Sequence, residues 1–477
     1  MELKLSFSDN LQEFKKALER DDTLRIKEIS NPRFPEVSIA VLVSGAMVSS
    51  SVVDRDVIFP LSTQNYEPTP KGAMAGGINN HSVEETTDLQ KALCQLCFGD
   101  CVVLVGDHPS CLIVDAKGVP TRGVQVPESE ASLMGPQDGF VENIMSNLAM
   151  LKKRLADPAL KSEFITLGRR GHNKLAVCYL EGIAHPHLIN EVKRRISQID
   201  IDSVLDGNIL AELMEEGRIT LFKTVGTTSR PDVLASRLLE GRIGVVLDGS
   251  PVVLSLPYIF AETIQSPDDY YQNFIYANVG RILRLAGFLI AVFLPPLYLS
   301  LVCHHPEVLP AHWLYTVLSA SLGVPIQAVT EILILFLAFE ILRETGSRMP
   351  AGLGLALNVV GAVILGDAAV NSKIVSVPMV IIVAFSGATG LMVRDLKGPV
   401  FFLRLAGLLF SFFWGLAGVS AVVVWMLLYM ASLKSLGVPF LYALDLSNGK
   451  EDTVFRAPFW KMRWRRKAFS ADERRQG

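Results

Sequence analysis

The strongest constraint on the fold is a long apolar stretch in the C-terminal half of the chain. From residue 282 to residue 433 the sequence consists mostly of Leu, Val, Ala, Phe and Gly, whereas the residues up to about Phe274 carry frequent charges. A transmembrane helix needs about 20 apolar residues, and this stretch is long enough for several of them. The sequence therefore predicts a soluble N-terminal region followed by an all-α transmembrane domain with several spans.

Five apolar runs are candidate spans. They are residues 282–302, 326–342, 353–370, 374–393 and 403–433. The last run has Gly415 and Gly418 near its middle, so it is either one tilted helix or two short ones. A short stretch with Trp313 and Tyr315 either lies flat at the interface or re-enters the membrane. The transmembrane domain, residues 281–445, is predicted to contain four to six spans.

Positive charges predict the orientation of the spans. Arg281 and Arg284 precede the first run, Arg394, Lys397 and Arg404 are placed between later spans, and KMRWRRK lies near the C-terminus. Because Lys and Arg collect on the cytoplasmic side, both ends are predicted to be cytosolic, including a basic tail at residues 446–477. Five spans would contradict that orientation, so either the last run is a pair or the Trp313 stretch crosses. No secretory signal opens the sequence, so the first span is expected to direct insertion.

Two segments of the soluble region share one pattern. GDCVVLVGDHPSCLIV begins at Gly99 and GRIGVVLDGSPVVLSL begins at Gly241, and each is an apolar strand, a Gly/Asp turn and a second apolar strand. A helix-like run precedes each one. The pattern predicts two similar α/β subdomains, residues 1–130 and 135–262, joined by the polar segment PESEASLMGPQDG. The second subdomain adds a predicted strand over 174–182 and helices over 186–199 and 208–216.

The cysteines invite a metal or redox interpretation. Cys94, Cys97 and Cys101 have C-x-x-C-x-x-x-C spacing, but the second hairpin copy has Ser, Leu and Ile at these positions. Such exchanges indicate packing, and disulfides are not expected in a reducing cytoplasm. The outer loop CHHPEVLPAH is a second candidate metal site, although a polar loop is the commoner explanation. We predict no metal site and no cofactor.

Catalytic and nucleic-acid-binding motifs are missing from the sequence. It has no Walker lysine loop, Rossmann glycine fingerprint, G-x-S-x-G elbow or H-E-x-x-H helix. The sequence predicts no enzyme, although motifs alone do not eliminate a membrane-embedded enzyme with scattered catalytic groups. The net charge of -3, without a basic stripe, argues against binding nucleic acid.

The segment LILFLAFEILRETGSRMP, residues 333–350, places charges at the end of an apolar run. The charged side chains are Glu340, Arg343, Glu344 and Arg348. They are three or four residues apart, so one helix can hold them as a network that neutralises itself. Alternatively, they lie at a cytoplasmic helix end and reach water. Glu331 is expected on the opposite helix face, at the outer interface.

The next run, GLGLALNVVGAVILGDAAVNSK, has small residues that allow close helix packing. Four of its side chains share one face at helical spacing: Val360, Val363, Asp367 and Asn371. If copies of this helix surround an axis, the valines form a ring that can gate by dewetting, and Asp367 forms an acidic ring that favours cations. Alternatively, Asp367 lies at the outer interface and pairs with Lys373.

Several motifs, in order, resemble the A subunits of spore germination receptors, the GerA family of endospore-forming bacteria. FEILRETGSRMP is similar to the family signature F-E-L-L-R-E-A-G-x-R-L-P, and the likeness runs from about Gly135 to Tyr442 through GPQDGFVENIMSNLAMLKKRL, SRPDVLASRLLEGRIGVVLDGSPVVL, DDYYQNF and SLGVPFL. The sequence departs from the family pattern at Ser229, Thr345 and Asp367, where Glu, Ala and Gln are usual. Residues 1–130 match only loosely.

This resemblance implies a protein of the spore inner membrane that acts with a multispanning B subunit and a lipoprotein C subunit. It also implies a ring of five subunits that releases monovalent cations in response to a germinant. Alternatives are a non-conducting signalling scaffold of the receptor and an accessory paralogue. We expect the Glu340 to Arg348 network to couple one span to the cytosolic region. Val360, Val363, Asp367 and Asn371 are expected to line the pore.

Overall fold

The computed structural model describes residues 3–118, 130, 134–217, 219–348, 366–442, 452–462, 464–466 and 468–471. The strands are β1 (Leu24–Ile29), β2 (Ile39–Ser44), β3 (Val83–Thr86), β4 (Cys101–Val105), β5 (Cys111–Val114), β6 (Leu160–Leu167), β7 (Asn173–Leu180), β8 (Gly226–Thr228), β9 (Ile243–Leu247), β10 (Val253–Leu256), β11 (Lys434–Ser435) and β12 (Val438–Pro439).

Short helices dominate the soluble region. They are α1 (Phe7–Ala17), α2 (Ser50–Val52), α3 (Phe59–Thr63), α4 (Pro70–Gly72), α5 (Leu89–Cys97), α6 (Ile144–Arg154), α7 (Pro186–Gln198), α8 (Gly207–Met214), α9 (Pro231–Leu239), α10 (Phe260–Ile264) and α11 (Asp268–Tyr271). The apolar helices that follow are α12 (Phe274–Cys303), α13 (Ala311–Ser321), α14 (Ala328–Arg348), α15 (Val377–Gly390) and α16 (Lys397–Ser432).

The soluble region contains two five-stranded antiparallel sheets with the same topology. The strand orders are β1-β2-β4-β5-β3 and β6-β7-β9-β10-β8, which correspond position by position. Val103 pairs with Leu112 in the first hairpin and Val245 pairs with Leu254 in the second, as the ungapped overlay of the two segments requires. The predicted repeat of one hairpin is therefore confirmed, and so is the predicted α/β fold class.

Helices cover both sheets because both faces of the central strands are apolar. β4, β5, β9 and β10 are buried along their whole length. In the second sheet, α6 and α9 pack on one face and α7 and α8 on the other. The predicted strand over 174–182 is β7 and the predicted helices over 186–199 and 208–216 are α7 and α8, so these three predictions are confirmed.

Two helical segments are long and apolar enough to cross a membrane within the described part of the chain. They are α12 and the segment Arg394–Ser432, which contains α16. The helix α13, which holds Trp313 and Tyr315, has 11 residues. A helix of that length spans about 16 Å, which is too short to cross a bilayer. The total of four to six spans stays a prediction.

The chain reverses direction within α16. Gly415 has φ 58° and ψ −133°, which no helical residue adopts. A Cβ atom placed on Gly418 would lie 2.0 Å from the carbonyl oxygen of Phe410, whereas eight residues of straight helix span about 12 Å. Residues on both sides of the reversal share one apolar cluster, which includes Val400, Leu403, Met426 and Met430. Of the two alternatives for the last run, the structure therefore has two short helices.

We expect Gly415→Ala to destabilise this helical hairpin. The backbone conformation of Gly415 is open almost only to glycine, and a Cβ atom there would lie 2.9 Å from Cβ of His304. The expected loss of unfolding free energy is about 1–3 kcal/mol, measured by thermal unfolding in detergent. The control is Gly398→Ala in the same helix, where a Cβ atom would meet nothing within 4 Å. Equal melting temperatures of the two variants would contradict the reversal.

Candidate functional site: the charged junction between the second sheet and the apolar helices

The apolar helices meet the soluble region at the second sheet. α12 starts there, and the chain comes back to the sheet after α16 through the β11–β12 hairpin. The Ser435 hydroxyl donates to the carbonyl oxygen of Thr224 over 2.6 Å and accepts from the backbone N–H of Tyr258 over 3.0 Å. The hairpin that follows α16 is therefore tied to the residues that flank β8 and β10 of the second sheet. We call this contact region the junction.

A buried arginine forms the centre of the junction. Arg281 of α12 is fully buried, with Nε donating to Asp269 over 3.0 Å and Nη1 donating to Asp452 over 2.8 Å. Arg284, one turn later, donates to both carboxylate oxygens of Asp269. A buried arginine is tolerated only when its charge is paired and its N–H groups have acceptors. Asp269 of α11 and Asp452 of the tail supply that pairing.

Tyr270 completes this charged cluster. The Arg281 guanidinium lies over the Tyr270 ring, with 5.5 Å between its Cζ atom and the ring centroid. The Tyr270 hydroxyl donates to Asp452 over 2.6 Å. Burial raises the pKa of the Tyr270 phenol, so the hydroxyl keeps its proton and stays a donor. The Tyr270 ring, the two carboxylates and the Arg281 guanidinium together hold α12 against the tail.

The described part of the C-terminal tail packs on the second sheet. Arg456 donates its backbone N–H to the Asn278 side chain of α12 over 2.6 Å, and Asn278 donates back to the Arg456 carbonyl over 3.0 Å. Further along, Phe469 is buried among the residues between α7, α8 and the sheet. The tail therefore links α12 to the core of the second sheet.

A second cluster lies where the SRPD and DDYY motifs meet. Arg230 is fully buried and donates to Asp232 over 2.8 and 3.1 Å, and the Tyr271 hydroxyl donates to Asp232 over 2.5 Å. Burial would raise the pKa of the Asp232 carboxyl, but the hydrogen bonds from Arg230 and Tyr271 outweigh burial and lower that pKa. Glu130 accepts from the backbone N–H of Ser229 over 3.0 Å. A carboxylate therefore lies beside position 229, where the GerA pattern usually has Glu.

A cleft of about 620 Å³ opens at the junction between the second sheet and the connection from α15 to α16. Its charged lining residues are Lys223, Arg237, Arg242, Arg284 and Arg394, with Glu130, Asp232, Glu240, Glu262 and Asp395. Arg242 and Glu262 are both buried and form an ion pair. Since cations and anions are balanced, the cleft has the volume of a ligand pocket but no preference for one sign of charge.

A buried arginine also lies inside the helical region. Arg404 is 1% exposed, its Nε donates to the Ala291 carbonyl over 2.7 Å, and its Nη2 donates to the Ser386 carbonyl over 3.2 Å. Pro295, four residues after Ala291, has no N–H, so the Ala291 carbonyl lacks its usual helical donor. Arg404 replaces that donor and joins α12, α15 and α16. Arg404, which was predicted to lie between spans, lies within α16, and the orientation that it was taken to indicate stays a prediction.

Glu331 likewise joins two helices. It is buried, and its carboxylate accepts from the Ser376 backbone N–H over 2.5 Å and from the Ser376 hydroxyl over 2.7 Å. Ser376 is the residue before α15, so the carboxylate caps that helix and interacts favourably with its dipole.

The predicted charge network is only partly described. Glu340 and Arg343 form an ion pair on α14, and Glu344 is exposed. The side chain of Arg348 lies outside the described residues. Polar contacts between the helical region and the residues around the second sheet include those of Arg284 of α12 with the Ile264 carbonyl, of the Tyr429 hydroxyl of α16 with the Leu221 backbone N–H, and of Ser435 in the β11–β12 hairpin with Thr224. The role of the network in coupling therefore stays a prediction.

The predicted pore residues fall at the edge of the described chain. Val360 and Val363 lie outside the described residues. Asp367 and Asn371 are exposed on a helical segment at residues 366–371, a few residues before Ser376. Within the described part of the chain, Asp367 makes no ion pair with Lys373.

Four of the six cysteines are buried, Cys94 is partly exposed and Cys303 is exposed. Cys97 is buried beside α1 and Cys101 faces the opposite side of the first sheet. Burial raises the pKa of the Cys97 thiol to about 11, so the thiol stays protonated. In the described ranges, no group of three or more His, Cys, Asp or Glu residues is arranged to hold a metal ion. His305 and Glu307 of the outer loop approach to 3.3 Å.

Sequence reasoning missed the buried contacts of Arg281 and Arg404. A single Arg inside FFLRLAGLLF is a signal for Arg404, because a charge within an apolar helix must face protein or water. The acidic pair in DDYYQNF, just before α12, is a signal for the Arg281 cluster. Neither sequence pattern identifies the distant residue to which the arginine bonds.

Comparisons with known proteins agree over nearly the whole chain. The family model described as Bacillus/Clostridium GerA spore germination protein matches residues 12–468. Spore germination protein KA of Bacillus subtilis (strain 168) is 33% identical over 490 residues, which covers 99% of this chain and 88% of that protein. Spore germination protein B1 of the same organism is 31% identical over 467 residues, 96% of each chain.

One solved structure is also similar. The crystal structure of the N-terminal domain of the A subunit of the Bacillus megaterium spore germinant receptor GerK3 has 25% sequence identity and a TM-score of 0.44. The match covers 55% of this chain and 98% of that chain.

Proposed function

The chain belongs to the GerA family of Bacillus and Clostridium spore germination proteins, and on that premise we propose that it is the membrane subunit of a germinant receptor that conducts monovalent cations. In this proposal several copies, five by the family resemblance, surround a pore. A B-type membrane subunit and a C-type lipoprotein complete the receptor. The descriptions of the quoted relatives name germination proteins and no enzyme.

The observation that carries the proposal is the environment of Asp367. Its side chain is exposed at the end of the helical region, next to the turn that Glu331 and Ser376 close. A carboxylate beside apolar helices is stable when it faces water or a neighbouring copy. In a ring of copies, Asp367 would form an acidic ring that attracts cations, with Asn371 beside it. Val360 and Val363, which lie outside the described residues, are proposed to line the same pore.

The arrangement of helix ends supports cytosolic placement of both chain ends in the spore inner membrane. The start of α12 bonds through Arg284 to the Ile264 carbonyl after β10, and the hairpin after α16 bonds to Thr224 before β8, so they lie at the same end of the helical region. The reversal at Gly415 lies at the other end, against His304 and His305. This geometry supports an even number of crossings, and the basic segment near the C-terminus favours the cytoplasmic side.

We expect Asp367→Asn to lower cation selectivity. In liposomes with a potassium chloride gradient, the reversal potential should indicate a ratio of potassium to chloride permeability that is roughly five-fold lower, because about 1 kcal/mol of attraction to each cation is lost. The control is Glu307→Gln, which removes an exposed carboxylate from the loop beside Gly415. Equal selectivity of Asp367→Asn and the native protein would contradict the proposed pore.

The junction favours a second candidate function, a non-conducting scaffold that passes a signal from a partner subunit to the soluble region. Its supporting observation is that α12 bonds to the tail and to the Ile264 carbonyl after β10, the hairpin after α16 bonds to Thr224 before β8, and Phe469 of the tail packs in the core of the second sheet. The same liposome experiment separates the two functions. A folded, oligomeric protein that passes no ions even with the B-type subunit and germinant present would favour the scaffold.

A further inference from the structure

The loop between α8 and β8 carries an isoleucine whose side chain is almost completely exposed. Among the large apolar side chains that the structure describes, Ile219 is the most exposed, at 94%, whereas Phe222 in the same loop is fully buried. The loop is closed by one carboxylate, because Glu215 accepts from the Thr220 hydroxyl and from the Thr224 backbone N–H. The loop is therefore built to hold Ile219 outward.

The same loop is fixed to the last turns of α16. The backbone N–H of Leu221 donates to the Tyr429 hydroxyl over 2.9 Å. The ring of Phe222 lies 6.3 Å from that of Tyr429 and 5.9 Å from that of Phe440. Because Leu221 is two residues from Ile219, the exposed isoleucine lies beside the end of α16.

The surface of α16 at this level is apolar and ends in an aromatic pair. Val424, Leu427 and Leu428 are exposed, and Trp425 stacks on Tyr429 with 5.5 Å between the ring centroids. Apolar outward side chains that give way to Trp and Tyr are typical of a helix at the membrane interface. Ile219 continues this outward apolar surface from the soluble region.

Basic side chains flank the surface. Lys223, at the end of the loop, and Lys434, two residues after α16, are both exposed. Lysines beside the cytoplasmic surface of a bilayer are attracted to anionic phospholipid headgroups. The combination of one protruding apolar side chain and adjacent lysines matches a shallow membrane anchor.

We propose that Ile219 inserts into the bilayer surface that faces the soluble region, with Lys223 and Lys434 at the phosphates of anionic lipids. The inference rests on the proposed placement of α16 across the membrane. It assigns the second sheet a direct contact with lipid, independent of the pore and of the partner subunits. Lipid charge would then influence the position of the sheet relative to α16.

The test uses the full chain in nanodiscs that contain phosphatidylglycerol and a phospholipid with a nitroxide near the headgroup. In a Cys303→Ser background, which removes the exposed cysteine, a fluorophore is attached to Ile219→Cys, Leu428→Cys or Leu5→Cys. Leu428 is 66% exposed on α16, and Leu5 is 71% exposed on the first subdomain. We expect lipid quenching at positions 219 and 428 to be at least about three-fold stronger than at position 5.

The three positions separate the possible failures. Quenching at 428 with no more quenching at 219 than at 5 would overturn the lipid contact while leaving α16 in the membrane. Protection of the 219 label from aqueous iodide without lipid quenching would also overturn it, in favour of a protein partner. Absence of quenching at 428 would instead refute the membrane placement of α16 and with it the proposed function.

The lysines are tested in the same nanodiscs. Replacing phosphatidylglycerol by phosphatidylcholine, or introducing Lys223→Gln with Lys434→Gln, is expected to reduce the quenching at position 219 by about two-fold or more. Quenching at 428 serves as the control and should not change. Insensitivity of the 219 label to both changes would overturn the role assigned to anionic lipid.

Discussion

Replacing Arg404 with methionine is expected to cost about 3 kcal/mol or more of unfolding free energy. Arg404 is almost completely buried and donates to the Ala291 and Ser386 carbonyls. Hydrogen bonds from a charged donor are worth about 1.5–3 kcal/mol each, and methionine supplies neither. The Ala291 carbonyl would be left without a donor, since Pro295 cannot provide the helical N–H. Thermal unfolding in detergent measures the loss.

Two matched variants identify the cause. Arg404→Lys keeps the charge but lacks the planar fork that reaches two carbonyls, so an intermediate loss is expected. Lys397→Met removes an exposed cation from the first turn of the same helix and should change stability by less than about 0.5 kcal/mol. An Arg404→Met protein as stable as Lys397→Met would show that the three helices do not depend on this side chain.

The soluble fold was predictable from the sequence because its information is local. The repeated hairpin is carried by apolar runs of four or five residues around a Gly/Asp turn, and hairpin partners are close in sequence. Val103 and Leu112 pair nine positions apart, and the second copy repeats that register. Helix α7 was likewise evident from apolar residues at helical spacing, namely Leu188, Ile189, Val192 and Ile196.

The junction and the contacts among the apolar helices join residues that are far apart in the sequence. Arg281 and Asp452 are 171 positions apart, and Arg404 and Ala291 are 113 positions apart. No local pattern pairs these residues, so the charges around Arg281 could be interpreted only as an orientation signal. Gly415 shows the same limit, because a glycine in an apolar run fits either a tilted helix or a reversal until its φ is known.

The candidate pore depends on neighbours that a single chain does not contain. Asp367 and Asn371 share a helix face by spacing alone, and their exposure at the end of the helical region is compatible with a ring of copies. By contrast, Glu331, which was expected to mark an outer interface, has a partner within the chain, since the Ser376 backbone N–H and hydroxyl both donate to one oxygen of its carboxylate. A polar residue in an apolar helix therefore indicates from the sequence that its position matters, but it does not indicate which residue is its partner.

Arg281→Met should destabilise the junction by about 3–5 kcal/mol, because it leaves the Asp269 and Asp452 carboxylates buried with fewer donors. The double variant Arg281→Met with Asp452→Asn should recover about 1 kcal/mol or more of the summed single losses, since it removes both charges of the pair. Unfolding in detergent measures the cycle, and trypsin cleavage at Lys461 reports whether the tail has been released from α12. The control is Arg169→Met, which breaks an exposed pair with Asp200 on the same subdomain and should cost less than about 1 kcal/mol. If Arg281→Met matched this control and kept its tail resistant to trypsin, the charged cluster would not be what joins the helices to the second sheet.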